Sequence, residues 1–186
     1  MNSQILTNIN SFIKNRLIEI SGILLIIVSV FLFASITTYS GGQDNFIYKA
    51  ENPDIGYTNF GGFYGSAIAD FLLQSIGLIV FLVVLSLFFW GFKLIAEKKI
   101  SNFISKIFFT LTYIISGTVF LNISYIPTWR YLDHGNGGFV GRIIKEKIYF
   151  LNFLIDNQYV IYSLILLTIV FFILSLGIKL NEIIKI

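Results

Sequence analysis

The residue pattern that invites a chemical reading is glycine-rich. Asn59–Leu72 reads NFGGFYGSAIADFL, with Gly61, Gly62 and Gly65 closely spaced and Asp70 five residues on. A shortened echo, Gly137-Gly138-Phe139-Val140-Gly141, returns later with Ile144 after it. Glycine runs of this kind cradle phosphates when a lysine and a hydroxyl follow at fixed spacing, as in G-x-x-x-x-G-K-[ST]. Neither element is followed by that pair, and no other segment supplies it. A dinucleotide turn needs a preceding strand in a βαβ unit, whereas both elements sit beside long apolar runs. His134 is the single histidine, between Asp133 and Gly135. No Ser/His/Asp set, catalytic carboxylate pair or HExxH motif accompanies it. The chain has no cysteine, which excludes disulfides and thiolate metal sites. The expectation is no catalytic residue, no bound cofactor and no metal.

The glycines have a structural use instead. Gly61, Gly62 and Gly65 suit positive φ and close backbone approach. Gly65 and Ala69 form a small-xxx-small face for helix packing. Asp70 is expected in the early turns of its helix, where the dipole favours a carboxylate. A functional surface at Asn59, Gly61, Gly62, Gly65 and Asp70 is the competing expectation.

The elements that would carry these residues are membrane helices. The chain of 186 residues is 56% apolar and 12% charged, with a mean hydropathy of +0.82. Soluble domains carry roughly 25% charged residues. A lipid-spanning helix satisfies its own backbone and needs about 20 apolar residues. Four uncharged runs meet that length: 20–39, 71–92, 107–126 and 159–178. The first run is too long for the apolar core of a signal peptide, so it is expected to stay as an anchor. The fold class is therefore all-α membrane protein with four transmembrane helices. Segment 1–19 is expected in the cytoplasm, 20–180 as the four-helix domain, and 181–186 as the start of a cytoplasmic linker.

Charge sets the expected orientation. Lys14, Arg16, Lys93, Lys98, Lys99, Lys106, Lys179 and Lys185 fall on one side of the four runs. Lys49, Arg130, Arg142, Lys145 and Lys147 fall on the other. The positive-inside rule places both termini in the cytoplasm. Ile5, Ile9, Phe12 and Ile13 recur near helical spacing. Segment 1–19 thus forms either a short helix on the inner face or an extension of the first span. Loop 40–59 is rich in turn formers and reads as a solvated connector. After Gly141, Arg142, Lys145, Glu146, Tyr149, Asn152 and Asp156 recur at helical steps with apolar residues largely on the opposite side, Lys147 being an exception. That is an amphipathic helix, expected flat on the outer surface, over the spans or against a partner. Each half of the chain thus has a span, an outer loop, a Gly-Gly-Phe-x-Gly turn and a helix. In the first half that helix is expected to be the span itself. Ser116, Thr118, Asn122 and Ser124 make the third span the most polar, as interhelical hydrogen bonding requires. A transporter or channel would show buried charges or mid-span helix breaks, and neither is evident in the sequence.

On Asn59, Gly61, Gly62, Gly65, Ala69, Asp70 and Leu72, the chain resembles the N-terminal four-helix membrane domain of the FtsK/SpoIIIE DNA translocases. Ser66 stands where the family often has alanine. Trp90-Gly91-Phe92-Lys93 and Gly137-Gly138-x-x-Gly141 extend the resemblance, which runs from about Leu17 to Leu180. The resemblance implies an inner-membrane protein at the division septum of a bacterium. It implies contacts with division proteins, and a homo-oligomer that is hexameric through its motor. The RecA-like ATPase, with its ATP and Mg, and the grip on double-stranded DNA would belong to domains missing from this chain. The chain would then anchor a motor in cell division and chromosome segregation. A stand-alone divisome scaffold is the alternative, and a small transporter a further one.

Overall fold

The computed structural model describes residues 2–41, 56–99, 101–124, 126–129, 131–147 and 157–177, with side chains from residue 9. The described residues contain helices and turns and no strand. Helix α1 spans Asn2–Thr37. Helix α2 spans Gly62–Ile76, followed by a one-turn 3-10 helix, Gly77–Ile79, and then α3, Val80–Glu97. Helix α4 spans Phe103–Ile123, α5 Gly138–Lys147 and α6 Gln158–Ser175. Four stretches are long and apolar enough to cross a membrane: Ile9–Thr37, Gly62–Glu97, Phe103–Ile123 and Gln158–Ser175.

Helix α1 is unbroken, so the segment before residue 20 continues directly into the first apolar run. At 1.5 Å per residue, its 36 residues reach beyond a hydrocarbon layer of about 30 Å. Its apolar residues Ile9, Phe12, Ile13 and Leu17 are exposed. Helix α3 ends where Lys98 turns left-handed, and Asn102 does the same before α4. Two polar residues in that conformation make a tight hairpin between spans. Asn157 caps α6, its Oδ1 accepting from the Tyr159 N–H at 2.9 Å.

The spans form two antiparallel hairpin-like pairs. In the first, Gly22 of α1 meets Gly91 of α3 backbone to backbone: a Cβ on Gly22 would lie 2.7 Å from the Gly91 carbonyl oxygen. Higher up, Ser29 Oγ donates to the Val84 carbonyl at 2.9 Å. In the second pair, Ser116 and Thr168 hydroxyls bond at 3.0 Å. Gly117 lets α6 approach there, and Tyr113 stacks edge-on with Phe172. Lipid tails are as apolar as leucine, so small residues and hydroxyls hold such helices together. The pairs join through Ser86 and Tyr113 at 3.0 Å, and through Trp90 Nε1, which donates to the Ser175 carbonyl at 2.7 Å. A buried cluster of Ile36, Tyr39, Ala69, Leu73, Val80, Val84 and Leu132 lies at the other end of the first pair.

One expectation is overturned. The second apolar run does not continue straight out of its glycine element. Gly77, at φ +61°, separates α2 from α3. The run expected to span at 71–92 therefore straddles a helix break that the sequence reading did not expect. The cause is tertiary. The backbone of Asn136 and Gly138 packs onto Gly77, and the Leu78 N–H donates to the Asn136 carbonyl at 2.8 Å. A side chain at 77 would collide with that backbone, so no residue but glycine fits.

Candidate functional site

The two glycine elements adopt the same local structure. In the first, the Gly62 N–H bonds the Asn59 carbonyl at 2.9 Å, and the Gly65 N–H bonds the Gly61 carbonyl at 3.0 Å. In the second, the Gly138 N–H bonds the Gly135 carbonyl at 2.9 Å, and the Gly141 N–H bonds the Gly137 carbonyl at 3.3 Å. Gly62 and Gly138 carry positive φ, +57° and +65°. Each element is a four-residue turn that reverses the chain into a helix, α2 or α5. The second glycine of the pair takes the left-handed position that other residues avoid. With Gly77 breaking the first half, both halves share one order: spanning helix, glycine turn, short helix, spanning helix.

Each turn docks on the end of the preceding span. In the first, Asn59 is buried; its Nδ2 donates to the Ser35 carbonyl at 2.7 Å, and its Oδ1 accepts from the Gly61 N–H at 2.9 Å. Gly61 and Gly65 face Ser35, where added Cβ atoms would lie 2.9 and 2.7 Å from its Oγ. Gly65, Ser66, Ala69 and Leu73 are buried, so the small-residue face of α2 is its packing face. In the second, Gly137 and Gly141 lie on the Thr118 carbonyl; a Cβ on either would come within 2.3 Å of its oxygen. Asn122 Nδ2 donates to the Gly138 carbonyl at 3.1 Å. An asparagine clamps both turns, from within the turn in the first and from the span in the second.

Asp70 departs from its expected role. Helix α2 begins at Gly62, so Asp70 lies in its third turn, beyond the reach of the N-terminal dipole. Its Oδ1 instead accepts a hydrogen bond from the Tyr39 hydroxyl, just past the end of α1. Gln74, one turn on, donates to the Tyr131 carbonyl at 3.0 Å and accepts from the Asp133 N–H at 3.1 Å. His134 is half-buried, 3.4 Å from Arg142 Nη1, with its ring edge-on to Phe139. A cavity of about 390 Å³ brings Asp70, Gln74, His134 and Phe139 to one wall. No group of three or more metal-ligating side chains occurs among the described residues.

Sequence reasoning missed Ser35, Tyr39, Gly77 and Asn136. Asn136 is buried; its Oδ1 accepts from the Trp129 N–H at 2.9 Å, and its Nδ2 reaches the Pro127 carbonyl at 3.1 Å. The available signal was Gly77, a glycine inside an apolar run, since such a residue marks close backbone approach. The amphipathic pattern after Gly141 begins as a helix at Gly138, with Arg142 paired to Glu146 at 2.9 Å. Its continuation over 148–156 lies outside the described residues, as do most of loop 40–59 and Lys179 and Lys185.

The three motifs that carry the resemblance have physical roles here. Asn59–Asp70 and Gly137–Gly141 are the docked turns. In Trp90–Lys93, Trp90 bonds α6, Gly91 meets Gly22, and Lys93 Nζ donates to the Gly177 carbonyl at 2.6 Å. These contacts knit four apolar spans into one membrane module. Comparison with the curated proteins and with the solved structures returns no match. The family model for the 4TM region of DNA translocase FtsK/SpoIIIE matches residues 14–185, and the chain belongs to that family.

Proposed function

We propose that this chain is the part of a DNA translocase that anchors it in the bacterial inner membrane and targets it to the division septum. The observation that carries this reading is the family match over residues 14–185, which covers all four candidate spans except five residues at the start of the first. Both termini face the cytoplasm in this reading, and the support is charge. Arg16, Lys93, Lys98, Lys99 and Lys106 gather at one end of the spans. Force from a DNA pump would reach the membrane through α6 and the segment after it. ATP, Mg and double-stranded DNA belong to the motor of the full protein. Division proteins and further copies of the chain are its partners, in a hexamer set by the motor.

The docked turns support an anchoring role. They lock short helices to span ends through backbone contacts, which suits a rigid mount. The test is fluorescence localisation of the chain, tagged at its C-terminus, in dividing bacteria. A mid-cell band at the constriction is expected. A uniform membrane signal from intact, inserted protein would overturn the septal assignment and bring a liposome solute-flux assay forward.

A further inference from the structure

The basic end of the molecule holds a cavity of about 510 Å³ between α3, α4 and the end of α6. Lys93, Lys99 and Lys106 line it, together with Ser101 and Ser105. The first lysine differs in status from the other two. Lys93 is engaged, donating to the Gly177 carbonyl and pairing with Glu97 at 3.4 Å. The Lys106 ammonium is half-buried beside Gly177, and its side chain makes no hydrogen bond or ion pair with a described residue. Lys99 is exposed and likewise unpaired. Glu97 is the one acid among the described lining residues, and Lys93 holds it. Among the described residues, the cavity thus has two cations without a partner, and two hydroxyls, at a span end.

The lining is graded. Below the lysines it turns apolar, at Phe109 and Leu174. A second, smaller cavity shares the three lysines and is floored by Leu25 and Trp90. An anion above and hydrocarbon below is the chemistry of an amphiphile. Basic pockets between membrane helices take phosphate head groups in this way.

We infer that this cavity binds the phosphate of an anionic phospholipid, with Lys99 and Lys106 as its charge partners. Free phosphate shares the head-group chemistry, but it would leave the apolar floor empty. The inference needs only that the spans sit in a bilayer, and it is independent of septal targeting. The test is native mass spectrometry of the full chain in a neutral detergent. Dioleoylphosphatidylglycerol, dioleoylphosphatidylcholine and inorganic phosphate are titrated separately. One phosphatidylglycerol per chain is expected to survive where phosphatidylcholine is lost. Lys99→Gln and Lys106→Gln each lower retention about fivefold, whereas Lys106→Arg keeps it. Lys147→Gln, at the opposite end, leaves it unchanged. Equal retention of the two lipids overturns the inference, as does an equal loss from Lys147→Gln. Inorganic phosphate bound through the same lysines, with no lipid retained, reassigns the cavity and overturns the lipid source. If Lys106→Gln loses helicity, Lys99→Gln decides the outcome, because its side chain makes no described bond.

Discussion

Two glycines with the same sequence motif differ in what they demand. Gly62 has positive φ and open space around the missing Cβ. Its requirement is conformational. Gly62→Val should destabilise by about 2 kcal/mol, since a β-branched residue is strained in that region. Gly62→Asn should recover most of the loss, because asparagine tolerates it. Thermal unfolding of the purified variants in detergent checks the order; equal losses would contradict it. Gly137 has a steric requirement. A Cβ there would sit 1.9 Å from the Thr118 carbonyl oxygen, which is helix backbone and cannot swing aside. Gly137→Ala should therefore destabilise more than Gly62→Val, by about 3 kcal/mol. The motif marked both residues in the sequence. Its spacing did not separate strain from crowding, because Thr118 lies 19 positions away along the chain and arrives only on folding.

At the scale of elements, the break at Gly77 is the joint between the two halves. The backbone of Asn136 and Gly138 fills the space where a side chain would be. Gly77→Leu is expected to push the second glycine turn off the first half while leaving the four spans inserted. Limited proteolysis should then cut near residues 130–140 faster than in the parent protein; unchanged cleavage would show that the joint does not hold the loop. Within the spans, the Ser86–Tyr113 hydrogen bond is buried. Tyr113→Phe should cost about 0.6 kcal/mol, the usual size of such a bond in a membrane, read from the same unfolding assay. Polar residues in the third run signalled interhelical bonding from the sequence. Ser116 and Asn122 make such bonds, to α6 and α5, whereas the Thr118 and Ser124 hydroxyls bond carbonyls of their own helix. The partners were not legible, since neighbouring spans carry many interchangeable serines and threonines. Asp70 shows the same limit. Its spacing from Gly65 was plain, yet its partner Tyr39 follows α1.

For the whole molecule, the absence of native cysteine makes the proposed orientation directly measurable. Ser101→Cys and Ser105→Cys are expected to react with a membrane-impermeant maleimide only after the cytoplasmic side is opened. His134→Cys is expected to react from outside in intact spheroplasts. The reverse pattern would invert the proposed topology. Four apolar spans, basic clusters and a repeated glycine element were legible in the sequence, because insertion and turn chemistry depend on local composition. Tertiary structure alone decided where the second run breaks, which turn rests on which span, and which lysines gather around a cavity. Those outcomes depend on backbone meeting backbone across long sequence separations. Periodicity records which face of a helix is apolar, but it does not record the neighbour that face will meet.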